Sequence, residues 1–143
     1  MPVVRPLTPE EEAELTERFA AALSLIPVQG EDADFLIAGL NIVVDAVRAG
    51  RPVPRPKDEL ATDLGVLWGD ELCRVAGWSW AYVTLESGAE GPAVTSPDQA
   101  LMVMPVHFLH RAFTDESRQP LGLFKQLIAG DTSAPPGGLL LLG

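Results

Sequence analysis

The residues of this chain best suited to acid–base chemistry are one glutamate and two histidines. Glu71 falls among leucines on a predicted helix, where burial would disfavour its ionised form and make it a perturbed carboxylate. His107 and His110 lie three residues apart, a spacing that puts two imidazoles on one helical face. One hypothesis is therefore an enzyme that uses Glu71 with His107 or His110. The alternative is a structural Glu71, paired with Arg111, a tryptophan N–H or a chain terminus.

Metal and covalent chemistry have little support in the sequence. There is no His-Glu-x-x-His pattern, and Cys73 is the only cysteine. No phosphate-binding loop is present either, because Gly65 and Gly69 fall inside a predicted helix. We therefore predict no metal site and no cofactor.

Three acidic residues form a second candidate site on the same predicted helix. Glu59, Asp63 and Asp70 share one polar arc, beside an apolar arc and an arc of small residues. The polar arc predicts a surface that binds a basic partner, or simply the solvated side of an amphipathic helix. The small-residue arc predicts that another backbone approaches the helix closely.

Aromatic residues then alternate along a predicted strand. Trp78, Trp80 and Tyr82 are separated by small or aliphatic residues, a period typical of β-structure. If exposed, the three rings would form a partner-binding patch, and if covered by a helix they belong to the core.

The overall charge of the chain indicates which class of partner it can bind. The 143 residues include 20 acids and 10 bases, which gives a formal net charge of −10. Nucleic acid is a poor partner for such a chain, because phosphate binding needs a basic surface. We predict that the partner is another protein, and the net charge favours a basic one. No stretch has the length of a membrane span, and the lone cysteine agrees with a cytoplasmic location.

The pattern along the chain predicts one α+β domain. Residues 1–50 read as a helical hairpin, 51–57 as a proline-rich linker, 58–130 as a helix, a β-meander and short helices, and 131–143 as a tail. The third helix is expected from Asp58, its N-cap, to Ala76. The run from Leu139 to Leu142 predicts either a docked edge strand or a tail that binds a partner.

Part of the sequence resembles a known family. The segment Leu64-Gly-Val-Leu-Trp-Gly-Asp-Glu-Leu72, followed by a tryptophan-bearing strand from Gly77 to Val83, is similar to a family of small bacterial domains of unknown function. The resemblance covers about residues 60–128. It implies a helix that leads into a β-meander, and it assigns no site residue.

These observations predict a helical hairpin and a third helix packed on a three-stranded antiparallel meander, with short C-terminal helices. For function they favour a non-catalytic, acidic protein–protein interaction module of bacterial type, such as an adaptor, regulator or immunity-type protein. Two alternatives remain, a structural subunit of a larger bacterial assembly and the enzyme described above. The expected core comprises Leu23, Leu40, Val43, Leu64, Leu67, Trp80, Val83, Leu101 and Val103.

Overall fold

The structure is a computed structural model that describes residues 3–26, 32–53, 55–98, 101–129 and 140–142. Within them the chain forms five helices and five strands. Their order is β1 (Val3–Arg5), α1 (Pro9–Leu25), α2 (Ala33–Arg48), α3 (Lys57–Ala76), β2 (Ser79–Thr84), β3 (Glu90–Thr95), β4 (Leu101–Val103), α4 (Pro105–Ala112), α5 (Pro120–Ile128) and β5 (Leu140–Leu142).

The strands form one sheet in the order β1-β2-β3-β4-β5. The first four strands are antiparallel, and β5 adds to β4 in parallel. The predicted α+β class and the meander, which is β2-β3-β4, are confirmed. The expected number of strands was too low, because two three-residue edge strands join the sheet. One of them is β5, so Leu140–Leu142 adopts the edge-strand alternative, whereas residues 130–139 lie outside the described residues.

Helix α3 is the central element of the fold. It contacts α1, α2, α4 and α5 as well as β2 and β3. Its apolar arc lies in the core, where Leu60, Leu64, Leu67, Trp68 and Leu72 have no exposed surface. The indole N–H of Trp68 donates to the carbonyl oxygen of Pro120 at 2.9 Å, which satisfies the polar atom of this buried ring.

The small residues of α3 allow the close approach that the sequence predicts. A Cβ on Gly65 would lie 2.8 Å from the backbone nitrogen and Cα of Val106 in α4. A Cβ on Gly69 would lie 2.7 Å from the ring of Trp80 in β2. Both separations are shorter than van der Waals contact, so glycine is required where α4 and the strand cross α3.

The caps at the helix termini correct one prediction. Thr8 and Glu11 form a reciprocal capping box at the start of α1. The predicted N-cap of α3, Asp58, instead lies in the first turn, and Pro56 occupies the cap position. At the other end Gly77 caps the helix with φ of 76°, a left-handed conformation that glycine adopts without strain.

Helix α1 packs chiefly on α3, and α2 packs on both α3 and α5. The first two helices therefore do not form a close pair with each other. Leu23, which we expected in the core, is 41% exposed. Two large apolar residues of α2 are also uncovered, with Phe35 57% and Ile42 51% exposed. Val43 and Trp80 are only partly buried, and the remaining predicted core residues are buried, namely Leu40, Leu64, Leu67, Val83, Leu101 and Val103.

Arginines fix the segments between helices. Arg48, at the end of α2, donates to the carbonyl oxygens of Ala112, Asp115 and Arg118, which holds the end of α4 and the loop to α5. Arg55 in the proline-rich segment donates to Asp63 of α3. Among the described residues, no helix combines the length and the apolar character needed to cross a bilayer.

Candidate functional site

Asp63, one of the three acids predicted to bind a partner, is fully buried in the structure. Arg55 Nη1 lies 2.7 Å from its Oδ2 atom, and Arg18 Nη1 lies 3.3 Å from its Oδ1 atom. Two arginines from α1 and from the segment before α3 thus neutralise the carboxylate, which is why this polar arc packs under α1. The prediction that Asp63 contributes to an open acidic surface is therefore wrong.

Glu59 and Asp70 lie in two other environments. Glu59 is exposed in the first turn of α3. Asp70 is half-buried in the wall of a cleft beside α1. The three predicted acids therefore do not form one continuous binding surface.

Glu71 is buried, as its place on the helical wheel predicts, with 2% of its surface exposed. Its Oε2 atom accepts from Arg74 one turn along α3, with 3.0 Å to Nε. The structural interpretation of Glu71 predicts a pair with Arg111, a tryptophan N–H or a chain terminus. The observed partner is instead Arg74, a neighbour on the same helix. The guanidinium of Arg74 is exposed, so the ion pair lies at the surface of the protein.

The two histidines lie on the opposite side of α3 from Glu71. His110 contacts Asp58 with 2.9 Å between Nε2 and Oδ1, and α4 itself lies against Gly65 and Gly69. Helical residues advance by about 100° each, so Glu71 points away from that face. The structure does not bring the three groups of the enzyme hypothesis together.

A cleft of about 550 Å³ opens between α1, the end of α3 and the start of β2. We call it the tryptophan cleft. Its volume lies within the usual range of ligand sites, and its walls are mostly apolar and aromatic. The lining residues are Leu7, Glu12, Leu15, Thr16, Phe19, Asp70, Cys73, Trp78, Ser79 and Trp80.

Two carboxylates give the tryptophan cleft its charge. Glu12 of α1 and Asp70 of α3 lie in its walls, and none of the described residues that line it carries a cationic side chain. Cys73 is also in the wall, and burial, with Asp70 adding to it, raises the pKa of its thiol to about 12. The thiol is therefore protonated at neutral pH and acts as a weak donor rather than a nucleophile.

The indole of Trp80 brings an unsatisfied donor to the same region. Its Nε1 atom is buried, and no described residue accepts a hydrogen bond from it. The six-membered ring lies against Gly69, so the position of the indole is fixed by α3. Trp78 is buried at 7% exposure, Trp80 and Tyr82 are half-buried, and both tryptophans line the cleft.

The edge of β2 beside the cleft has no strand partner among the described residues. β1 pairs only with the second half of β2, where Arg5 lies opposite Tyr82. The next residue, Pro6, has no N–H with which to continue the ladder. The outer edge of Ser79–Ala81 is left unpaired by β1, and Ser79 and Trp80 line the cleft.

A smaller cavity of about 230 Å³ contains His107. Its walls come from α1, α3, α4 and the β2–β3 hairpin. Burial lowers the pKa of His107, and Arg111 and His110 lower it further, so its imidazole is neutral at pH 7. At the rim Arg5 bonds Glu11 and lies 4.1 Å above the ring of Tyr82. Charges are largely paired there, since Glu11 is held by Arg5 and Arg18 by Asp63.

Sequence reasoning missed the contribution of α1 to the tryptophan cleft. The apolar spacing of α1 puts Leu15 and Phe19 on one face of the helix, and Glu12 is an acid of its first turn. All three line the cleft because α1 lies across the polar arc of α3. The ion pair between Arg18 and Asp63 fixes that crossing, and a pair between residues so far apart in sequence leaves no local signal.

Comparison with known proteins gives one likeness, and it is in the fold. The chain is similar to a crystal structure from Bacteroides thetaiotaomicron VPI-5482, with a TM-score of 0.64 and 15% sequence identity over 90% of this chain. This chain spans 48% of the length of that protein chain. At such low identity the likeness shows the fold alone. No family model and no curated protein matches the sequence.

Proposed function

We propose that this chain is a non-catalytic protein-binding module that holds a basic, partly apolar segment of another protein in the tryptophan cleft. The observation that carries the proposal is the convergence of aromatic and carboxylate side chains in one cavity. Trp78, Trp80 and Phe19 offer apolar surface, and Glu12 and Asp70 stand beside them.

The two kinds of group have different roles in binding. Large aromatic residues in a concave site are typical anchors of protein interfaces, because burying them releases much apolar surface from water. Carboxylates at the same site select a partner that carries lysine or arginine. The net charge of −10 extends that attraction beyond the cleft and speeds the encounter with a basic partner.

Two observations favour binding over catalysis. The Cys73 thiol is held protonated, so the cleft has no thiolate nucleophile at neutral pH. Glu71 is paired with Arg74 on the side of α3 away from both histidines. The cytoplasmic location predicted from the lone cysteine is part of the proposal.

A structural subunit is the second candidate, and one observation supports it. Phe35 and Ile42 form an exposed apolar stripe on α2, seven residues apart on one face. A subunit would self-associate through such a stripe, and Phe35→Ser with Ile42→Ser would remove the association. A wild-type protein that still sediments as a monomer at the highest concentration used would count against this candidate.

The binding proposal is tested with a defined basic peptide. Ac-Lys-Leu-Lys-Leu-Lys-NH2 is titrated against the protein, and its acidic counterpart with glutamate in place of lysine is the peptide control. Glu12→Gln and Asp70→Asn should each weaken binding of the basic peptide by about three- to tenfold. The matched variant Glu17→Gln removes the same charge from α1 outside the cleft and should weaken binding by less than about twofold.

Non-specific attraction to an acidic protein gives a different pattern. In that case the Glu12→Gln and Glu17→Gln variants would lose the same affinity, and the proposal would be wrong. Failure of the basic peptide to bind at millimolar concentration would also contradict it.

A further inference from the structure

We infer that the partner enters the tryptophan cleft as an extended strand and adds to the outer edge of β2 at Ser79–Ala81. The inference rests on the proposed function and names the way in which that site recognises its partner. Its basis is the position of an unpaired strand edge inside the wall of the cleft.

The edge is left unpaired because β1 ends before it reaches Ala81. β1 pairs with Tyr82, Val83 and Thr84, and Pro6 then ends the ladder. The inner edge of β2 is paired with β3 along its whole length from Ser79 to Thr84. A partner strand beside Ser79–Ala81 would lie along the same edge of β2 as β1 does. It would form hydrogen bonds with the unpaired backbone groups of that edge, which is β-strand addition.

The cleft provides room for the side chains of such a strand. Alternate side chains of a strand point to the same face and are about 7 Å apart. Those on the helical face would lie in the cavity of about 550 Å³, against Leu15, Phe19 and Trp80.

The charge of the site decides between a foreign segment and a second copy of this chain. Glu12 and Asp70 favour lysine or arginine on the incoming strand. A second copy would also carry a net charge of −10, so its approach to this cleft is opposed by repulsion. The occupant we infer is therefore a basic, extended segment of another protein.

The experiment compares two backbone-methylated forms of Ac-Lys-Leu-Lys-Leu-Lys-NH2. One form carries N-methyl groups on both leucines, which blocks one edge of the peptide strand. The other carries them on the lysines, which blocks the opposite edge. Strand addition uses one edge only, so we expect one form to bind at least about tenfold more weakly than the parent peptide and the other to stay within about twofold.

Each other outcome overturns the inference in a distinguishable way. If both forms bind like the parent peptide, or if both are weakened equally, strand addition is wrong while binding in the cleft stands. If the parent peptide itself does not bind, or binds Glu12→Gln and Glu17→Gln variants equally, the proposed function fails as well. A second copy in the cleft would appear as a dimer that persists in the Phe35→Ser, Ile42→Ser variant and dissociates when the basic peptide is added. That result would overturn the choice of occupant.

Discussion

Arg55 donates a hydrogen bond to Asp63, with 2.7 Å between Nη1 and Oδ2, and the aspartate side chain has no exposed surface. Arg18 binds the other carboxylate oxygen from α1. Helix α1, the segment before α3 and α3 itself therefore meet at one carboxylate, and Arg18 reaches it from 45 residues away. This contact sets the crossing of α1 over α3, and with it the shape of the tryptophan cleft.

Loss of that carboxylate should destabilise the fold. Asp63→Ala leaves two arginines facing each other, and we expect a loss of about 3 kcal/mol in the free energy of unfolding. This loss of stability is at the lower end of the range expected when a buried ion pair is broken, because both arginine side chains are 35% exposed and can reach water. Glu59→Ala on the same helix should change stability by less than about 0.5 kcal/mol. Urea denaturation of the two variants measures both values, and equal losses would contradict the assignment.

Gly65 should not tolerate even one methyl group. In Gly65→Ala the new Cβ would lie 2.8 Å from the backbone of Val106, so α4 must shift, and we expect a cost of about 1–3 kcal/mol despite better helix propensity. Gly122→Ala is the comparison variant, because its new Cβ would lie 3.3 Å from the Cβ of Gln119, an exposed residue at the start of α5, and so demands a smaller shift. That variant should lose less stability than Gly65→Ala, because its closest contact is longer and helix propensity favours alanine. Thermal unfolding of both variants tests the comparison. A Gly65→Ala protein as stable as the wild type would contradict the close approach of α4 to α3.

The pair between Arg5 and Glu11 should make stability depend on pH in the acid range. The hydrogen bond from Arg5, followed by the backbone N–H of Thr8, lowers the pKa of Glu11 to about 2 from an ordinary value of 4.5. A lowered pKa in the folded state stabilises above pH 4.5, and that stabilisation is lost as pH falls toward 2. The stability difference between wild type and Glu11→Gln should therefore shrink as pH falls through that window.

An Arg5→Gln background provides the control for this pH effect. Without the guanidinium, the difference in the free energy of unfolding between the proteins with glutamate and with glutamine at residue 11 should vary less with pH. Denaturation series at several pH values in both backgrounds measure it. A difference that stays constant, or that grows as pH falls, would contradict the assigned pair.

Cys73 should react slowly with thiol reagents at neutral and mildly alkaline pH. Raising its pKa from 9.0 to about 12 reduces the thiolate fraction roughly a thousandfold, partly offset by the higher nucleophilicity of a more basic thiolate. We expect alkylation by iodoacetamide at pH 8 to be at least about thirtyfold slower than for N-acetylcysteine. The denatured protein should react at the ordinary rate. A rate that levels off near pH 9 in the folded protein would contradict the raised pKa.

Much of the fold could be predicted from local patterns, because each signal lies within a few neighbouring residues. The capping box at Thr8 and Glu11, the αL cap at Gly77 and the alternation from Trp78 to Tyr82 are of this kind. The edge strands could not be predicted in the same way. β1 has only three exposed residues, and its place depends on pairing with a strand almost 80 positions away.

The candidate site was predictable only in part. The burial of Glu71 follows from its place among leucines, and that prediction is confirmed. The burial of Asp63 does not follow from the helical wheel, because it depends on Arg18 and Arg55, which reach it from other elements. The exposure of Phe35 likewise reflects how few elements cover α2, which an apolar pattern alone cannot show.

The most direct test of binding in the tryptophan cleft is a two-dimensional amide NMR titration with Ac-Lys-Leu-Lys-Leu-Lys-NH2. The three tryptophans give three indole signals, and that of Trp68 is an internal reference because its N–H is bonded to Pro120 in the core. The account predicts that the indole of Trp80 and the amides of Ser79–Ala81 and Cys73 shift together, while the Trp68 indole does not. Shifts confined to α2 around Phe35 and Ile42, with the cleft unchanged, would contradict the account.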